Sequence, residues 1–183
     1  MSAVISPCGL YRYRLERSIG GFLAGPTVAW IMVNPSTADA ETDDATIRKV
    51  IGFSERLGFG DIVVGNLFAF RATDIRELRT AADPIGPFGG DYLRAIMRGA
   101  EKVIVAWGPC AKLPRWLRSR WMEVAGIAEA NSIPLWCLGT AQDGHPLHPL
   151  MLGYERRLSL WQRPDQASAP TPSPDPASGE AAV

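Results

Sequence analysis

Lysine is scarce in this chain. Of 19 basic residues only Lys49, Lys102 and Lys112 are lysines, and the rest are arginines, which suit planar, bidentate contacts. A charge of one sign is missing too: 19 basic residues face 19 acidic ones. No overall field therefore draws the protein to nucleic acid or to an anionic membrane, although a local basic patch survives inside a neutral total. Cys8, Cys110 and Cys137 lie far apart with no C-x-x-C spacing. That argues against a disulfide framework and against a zinc or iron–sulfur site, and makes a reducing cytoplasm the expected compartment. No apolar run approaches the roughly 18 residues of a membrane span, and no charged start precedes an apolar stretch. A cytoplasmic protein with no membrane partner is expected.

What is present fits one ordinary domain. The chain has 183 residues, 46% hydrophobic and 21% charged, enough to bury a sizeable core. Tyr11 to Leu15 alternates large and charged residues, the period of a half-exposed strand. Gly20-Gly21 offers a turn, and Thr27 to Val33 reads as a buried strand, so the two are expected to form a hairpin. A helix follows, capped by Asp43 or Asp44, with Ile47, Val50, Ile51, Ser54 and Leu57 on one face and Gly58 at its end.

Further buried strands are expected at Asp61–Gly65, Lys102–Ala106 and Ile133–Leu138, with helices over Asp91–Arg98 and Pro114–Asn131 and a helical turn at Ile75–Arg79. From Pro164 onward the chain is Pro, Ala, Ser, Asp and Glu with almost nothing to bury. The expected organisation is one domain over 1–163 and a disordered tail over 164–183. Four short apolar runs separated by helices predict an α/β fold, a parallel sheet covered on both faces. Its strand ends would place Asn34, Asn66, Trp107 and Gly139 along one edge, where such sheets bind ligands.

The unusual residues cluster at those ends. In Asn34-Pro35-Ser36-Thr37 the proline fixes the backbone and small side chains leave main-chain N–H groups free for an anion or a carbonyl. Capping of the strand end and of a turn explains the same residues equally well. Asn66 offers two donors and an acceptor, the set needed to read a nucleobase edge. Phe68 and Phe70 are candidates for stacking on a planar ligand, against the simpler expectation that both face the core.

His145 and His148, the two histidines, suit hydrogen bonding to a developing anion or proton transfer near neutral pH, and at least one has an alternative structural reading. The prolines between and after them argue against a metal site, and no metal or other cofactor is expected. Asp39, Glu41, Asp43 and Asp44 form an acidic cluster best explained by helix capping, with Asp39 the least easily explained that way. Trp107-Gly108 suggests close backbone packing beside a cleft.

Together N-P-S-T-A-D, D-D-A-T-I-R, N-L-F-A-F-R-A-T, V-A-W-G and the late H-P-L resemble a bacterial family, domain-of-unknown-function family 1643, over about Tyr11 to Trp161. The same motifs, in the same order, distantly resemble the uracil-DNA glycosylase superfamily. Val33-Asn34-Pro35-Ser36 takes the place of its first-strand loop, and Asn66 to Ala72 that of its base-reading asparagine strand. Trp107-Gly108 matches its W-G strand end, and His145 or His148 its histidine-proline loop.

That resemblance implies a three-layer α/β/α sandwich with a central four-stranded, mostly parallel sheet, here with an added N-terminal edge strand. It implies Asn34 positioning a water, as in the mismatch-specific branch, and Asn66 reading the base. His145 or His148 would bond the leaving base, while Pro35, Ser36, Phe68, Trp107 and Gly108 line the substrate site. The expected function is recognition of a nucleobase, nucleoside or single-stranded or flipped nucleotide, with N-glycosidic hydrolysis. Zero net charge and the lack of a recognisable intercalating loop argue against strong duplex DNA binding. The alternatives are a binding module without turnover, and a metal-assisted phosphate hydrolase using Asp39 with a histidine.

Overall fold

A computed structural model describes residues 1–21 and 25–165; most of the expected tail, 166–183, lies outside the described residues. One seven-stranded sheet organises them. Its strands are β1 (Ser2–Ile5), β2 (Arg12–Ser18), β3 (Thr27–Met32), β4 (Asp61–Asn66), β5 (Lys102–Val105), β6 (Leu135–Cys137) and β7 (Ser159–Leu160). The spatial order is β1-β2-β4-β3-β5-β6-β7. The four central strands are parallel, and β1, β2 and β7 pair antiparallel at the two edges.

The expected hairpin of β2 with β3 does not form. Apolar β3 is sandwiched between two parallel partners, so β2 takes the free edge of β4. β2 supplies the expected N-terminal strand beside the four central ones, and β1 and β7 widen the sheet beyond the expectation at its two edges. The chain leaves β3 to reach β4 on one side and later returns to β5 on the other. A topological switch point, and with it a crevice, falls at the carboxyl ends of β3 and β5.

Helix α1 (Ala45–Arg56) covers one face, and α2 (Gly89–Gly99) and α3 (Trp121–Ala130) cover the other. Asp44, not Asp43, is the N-cap of α1, accepting from the Ile47 N–H at 2.8 Å. Ile47, Val50 and Phe53 from α1 pack on Val28, Trp30 and Met32 of β3. Burial of side chains this size contributes about 1.5–3 kcal/mol each. A buried bond from the Trp30 indole to Ser54 Oγ, 3.0 Å, fixes how the helix sits on the strand. The opposite core is built from Ala29, Ile31, Leu93, Ile96, Met97, Val124 and their neighbours. Alternation along β3 thus feeds two separate cores.

Candidate functional site

Register explains which candidates meet. Met32 pairs with Asn66 across β3 and β4, so the two side chains share a face. Met32 belongs to the α1 core, which places Asn66 on that face, with Asn34 two residues further along the chain. Beyond the ladder the chain keeps its pairing. Leu67 N–H donates to Met32 O at 2.8 Å, Phe68 N–H to Val33 O at 2.9 Å, and Ala72 N–H to Pro35 O at 2.9 Å. Asn34 locks the same two segments together. Its Nδ2 donates to Pro35 O at 3.0 Å and to Ala72 O at 2.7 Å. Both of its donors are thereby used, and only the amide oxygen is left for a ligand or a water.

Between this seam and the start of α1 lies a cleft of about 530 Å³. Asn34, Ser36, Asn66 and His148 all line it, together with Arg12, Asp44, Thr46 and the Thr73–Ile75 segment. Asn66 is 6% exposed, and its side chain makes no hydrogen bond to any described residue. Its amide atoms are not sealed from solvent, so a water or a ligand can meet them from the cleft. Pro35 is buried behind the cleft wall. The N–H groups of Ser36, Thr37 and Ala38 reach no acceptor among the described residues.

His148 arrives from the loop after β6, which packs on α1. Its Nδ1 accepts from Leu150 N–H at 3.4 Å, which assigns the proton of the neutral ring to Nε2. Burial lowers its pKa, with Asp44 opposing and Lys112 adding to the effect, so the ring is a neutral donor at pH 7. Gly108 has φ +80°, and a Cβ there would meet His148 Cβ at 3.3 Å. The glycine therefore gives the loop room to bring His148 in.

Four sequence candidates lie elsewhere. Phe68 is fully buried in the α2–α3 core, because the ladder ends at Asn66 and both Leu67 and Phe68 turn to that side. It has no face to offer a ligand. Trp107 is in the same core, edge-to-face with Trp161, and its indole donates to His145 Nδ1 at 3.4 Å. His145 packs edge-on against Trp121, and burial lowers its pKa, with Asp143 opposing. Neither residue lines the cleft: Trp107 belongs to the α2–α3 core, and His145 opens on a separate pocket with Cys110 and Trp121. Asp39 is turned away too: its Oδ1 accepts the N–H groups of Glu41 and Thr42, both at 2.9 Å. Among the described residues no group of three His, Cys, Asp or Glu side chains is placed to hold a metal ion, and no helix is long and apolar enough to cross a membrane.

Arg12 was not legible as a site residue. Arg12 and Arg17 are five apart, and a regular strand would point them to opposite faces. The β1–β2 register shifts between Val4↔Arg14 and Ile5↔Arg12, leaving Tyr13 as an extra, bulged residue. The bulge sends Tyr13 to stack on Tyr92 of α2 and turns Arg12 towards the α1 face and the cleft. Asp44, an expected cap, also proves to line the cleft. A second cavity of about 360 Å³ lies at the opposite edge of the sheet, where Arg14 and Glu16 pair with each other, and holds none of the sequence candidates.

Residues 12–150 match a family described as "Protein of unknown function (DUF1643)". The chain belongs to this family. The matched stretch begins at Arg12 and ends at Leu150, so it contains the whole cleft lining. Comparison with curated proteins and with solved structures gave no match.

Proposed function

We propose that this DUF1643 protein recognises a nucleobase and hydrolyses the N-glycosidic bond that carries it, with the three-layer, uracil-DNA glycosylase-like arrangement that the motif resemblance implies. One observation carries the reading: Asn66 is an almost fully buried amide with no protein partner, opening into a cleft it shares with Asn34 and His148. An amide presents a donor and an acceptor side by side, the complement of a base edge. The cleft volume, about 530 Å³, lies within the usual range for small-molecule sites.

In the proposed reaction the bond from the sugar carbon to the base nitrogen breaks as water oxygen bonds to that carbon. One water proton passes to the base or to solvent. His148 Nε2–H donates to the departing base as its charge grows, and the Asn34 amide oxygen accepts from the attacking water. A neutral amide is a weak base, so most of the rate must come from holding the groups and stabilising the leaving anion. His148 takes the role that sequence alone left open between it and His145.

Binding without turnover is a second reading, and one observation favours it. The Asn34 amide is fixed by two carbonyls and works as a loop staple whether or not a reaction occurs. The Asp39-dependent hydrolase has no comparable support, since Asp39 Oδ1 is held by its own turn and the residue does not line the cleft.

The test is release of free base from uracil-, hypoxanthine- and damaged-base oligonucleotides and from free nucleosides. Release that is lost in Asn66→Ala and His148→Ala but kept in His145→Ala supports the enzyme. Saturable binding with no product after long incubation leaves the binding module. Neither release nor binding overturns both.

A further inference from the structure

The fold leaves one buried cation in the cleft wall unanswered. Arg12 is 3% exposed, yet among the described residues its one side-chain bond is Nη1 to Ala38 O at 2.6 Å. It forms no ion pair there, and its Nε is buried with no acceptor. Burial drives its pKa down to about 10, with Asp44 and Asp39 opposing and Arg71 and Arg17 adding to the fall. Arg17, equally buried on the same strand, has a carboxylate and three carbonyls. A buried charge without a partner is expensive, and an anionic ligand is what removes the cost.

Two neighbouring features point the same way. A shallower depression of about 370 Å³ opens beside the cleft, sharing Ser36, Ala72 and Thr73 as a common wall. Arg71 lines it, donating Nη1 to Gly9 O at 3.2 Å and leaving a buried Nε with no acceptor. Between the two arginines run Ser36, Thr37 and Ala38 with their uncommitted N–H groups. The acids nearby do not fill this role. Asp39 is held by its own turn, Asp44 gives one oxygen to the start of α1, Asp74 pairs with Arg76, and Glu77 accepts from the Asp74 N–H.

We infer that Arg12, Arg71 and the Ser36–Ala38 amides form an anion subsite beside Asn66, so that the ligand is a phosphate-bearing nucleotide and not a free base or nucleoside. Guanidinium and phosphate pair through two parallel N–H···O bonds, and successive main-chain amides add to the same site. The inference rests on the base-recognition reading for the other half of the ligand. The phosphate can come from a free mononucleotide or from a nucleic-acid strand, and the chemistry at Arg12 is the same.

Calorimetry with uridine, inosine, their 5′-monophosphates, ribose 5-phosphate and a five-nucleotide single strand tests it. The expected result is a monophosphate that binds at least about ten-fold tighter than its nucleoside, the increment of a charged hydrogen bond. Arg12→Met abolishes that gap, so that nucleoside and monophosphate bind alike. Arg71→Met, at a half-buried side chain, narrows it and serves alone should Arg12→Met not fold. Equal affinity for nucleoside and monophosphate overturns the subsite while the base reading stands. Arg12-dependent binding of ribose 5-phosphate, with no gain from any base, upholds the subsite and overturns the base reading. No binding of any phosphate compound overturns the subsite. Tighter binding of the strand than of the mononucleotides identifies a nucleic acid as the source, and the reverse a free nucleotide.

Discussion

Arg12 and Arg17 leave the same face of one strand at 3% and 2% exposure, and the fold treats them oppositely. Arg17 Nε donates to Asp43 Oδ1 at 2.7 Å, and its other nitrogens reach the carbonyls of Glu16, Asp39 and Thr42. Arg12 reaches one carbonyl, that of Ala38. Both tie the loop after β3 to β2, but only Arg17 has its charge answered from within.

Stability should separate the two. Arg17→Met strands Asp43 and frees three carbonyls, and is expected to cost about 3 kcal/mol or more. Arg12→Met removes a buried charge that lacks a partner, and should be neutral or stabilising in the ligand-free protein. Urea unfolding of both variants checks this; a larger loss for Arg12→Met than for Arg17→Met would contradict it.

The two asparagines should separate in the same way. Asn34→Ala loses two hydrogen bonds across the loop seam, about 1–2 kcal/mol. Asn34→Asp is worse, because it sets a carboxylate against two carbonyl oxygens. Asn66→Leu removes an unpartnered amide and should leave stability within about 1 kcal/mol of wild type while abolishing ligand recognition. Denaturant unfolding beside the base-release assay reads both effects. A gain of activity in Asn34→Asp would show that this position needs a stronger base than the loop staple supplies.

Acid sensitivity follows from the histidines. Burial lowers the folded-state pKa of both His145 and His148 below the ordinary 6.5. Between the two values the unfolded chain binds more protons, so stability rises with pH. The contribution is complete above 6.5 and is lost as pH falls through the folded-state values. His148→Asn should flatten the fall in melting temperature on the acid side of 6.5 and change it little above. An unchanged acid slope would refute the assignment of His148 as a buried neutral ring.

Gly108→Ala should cost about 1–2 kcal/mol, because φ +80° is unfavourable for an L-residue. The new methyl would also press on His148 at 3.3 Å. Base release or ligand affinity is therefore expected to fall further than the loss of stability explains. Thermal melts and activity, taken on the same preparation at a temperature where the variant is fully folded, distinguish the two losses.

Much of this was legible in the sequence. Apolar runs at β3, β4, β5 and β6, a cap at Asp43 or Asp44, a helix end at Gly58, and helices α1 and α2 follow from local patterns. The helix expected from Pro114 opens instead as a 3-10 turn over Arg115–Leu117, and α3 begins only at Trp121. So does the crowding of Asn34, Asn66 and the histidines at one edge, because parallel strands joined by helices must end on the same side. The edge strands were harder. β1 and β7 are short, at four and two residues, and β2, whose alternation is legible at Tyr11–Leu15, takes the edge left free once the apolar strands have packed.

Which candidates belong together was decided only by the tertiary structure, because a sheet has two faces. Asn34, Asn66 and His148 reach the α1 side, while Phe68, Trp107 and His145 are buried on the other. Arg12 joined the first group through one extra residue at Tyr13, which reverses the side-chain alternation on β2. The sequence by itself determined the strand ends and the kinds of group gathered there. The faces depended on register and on a single bulge, and these are fixed by long-range pairing that no local pattern records.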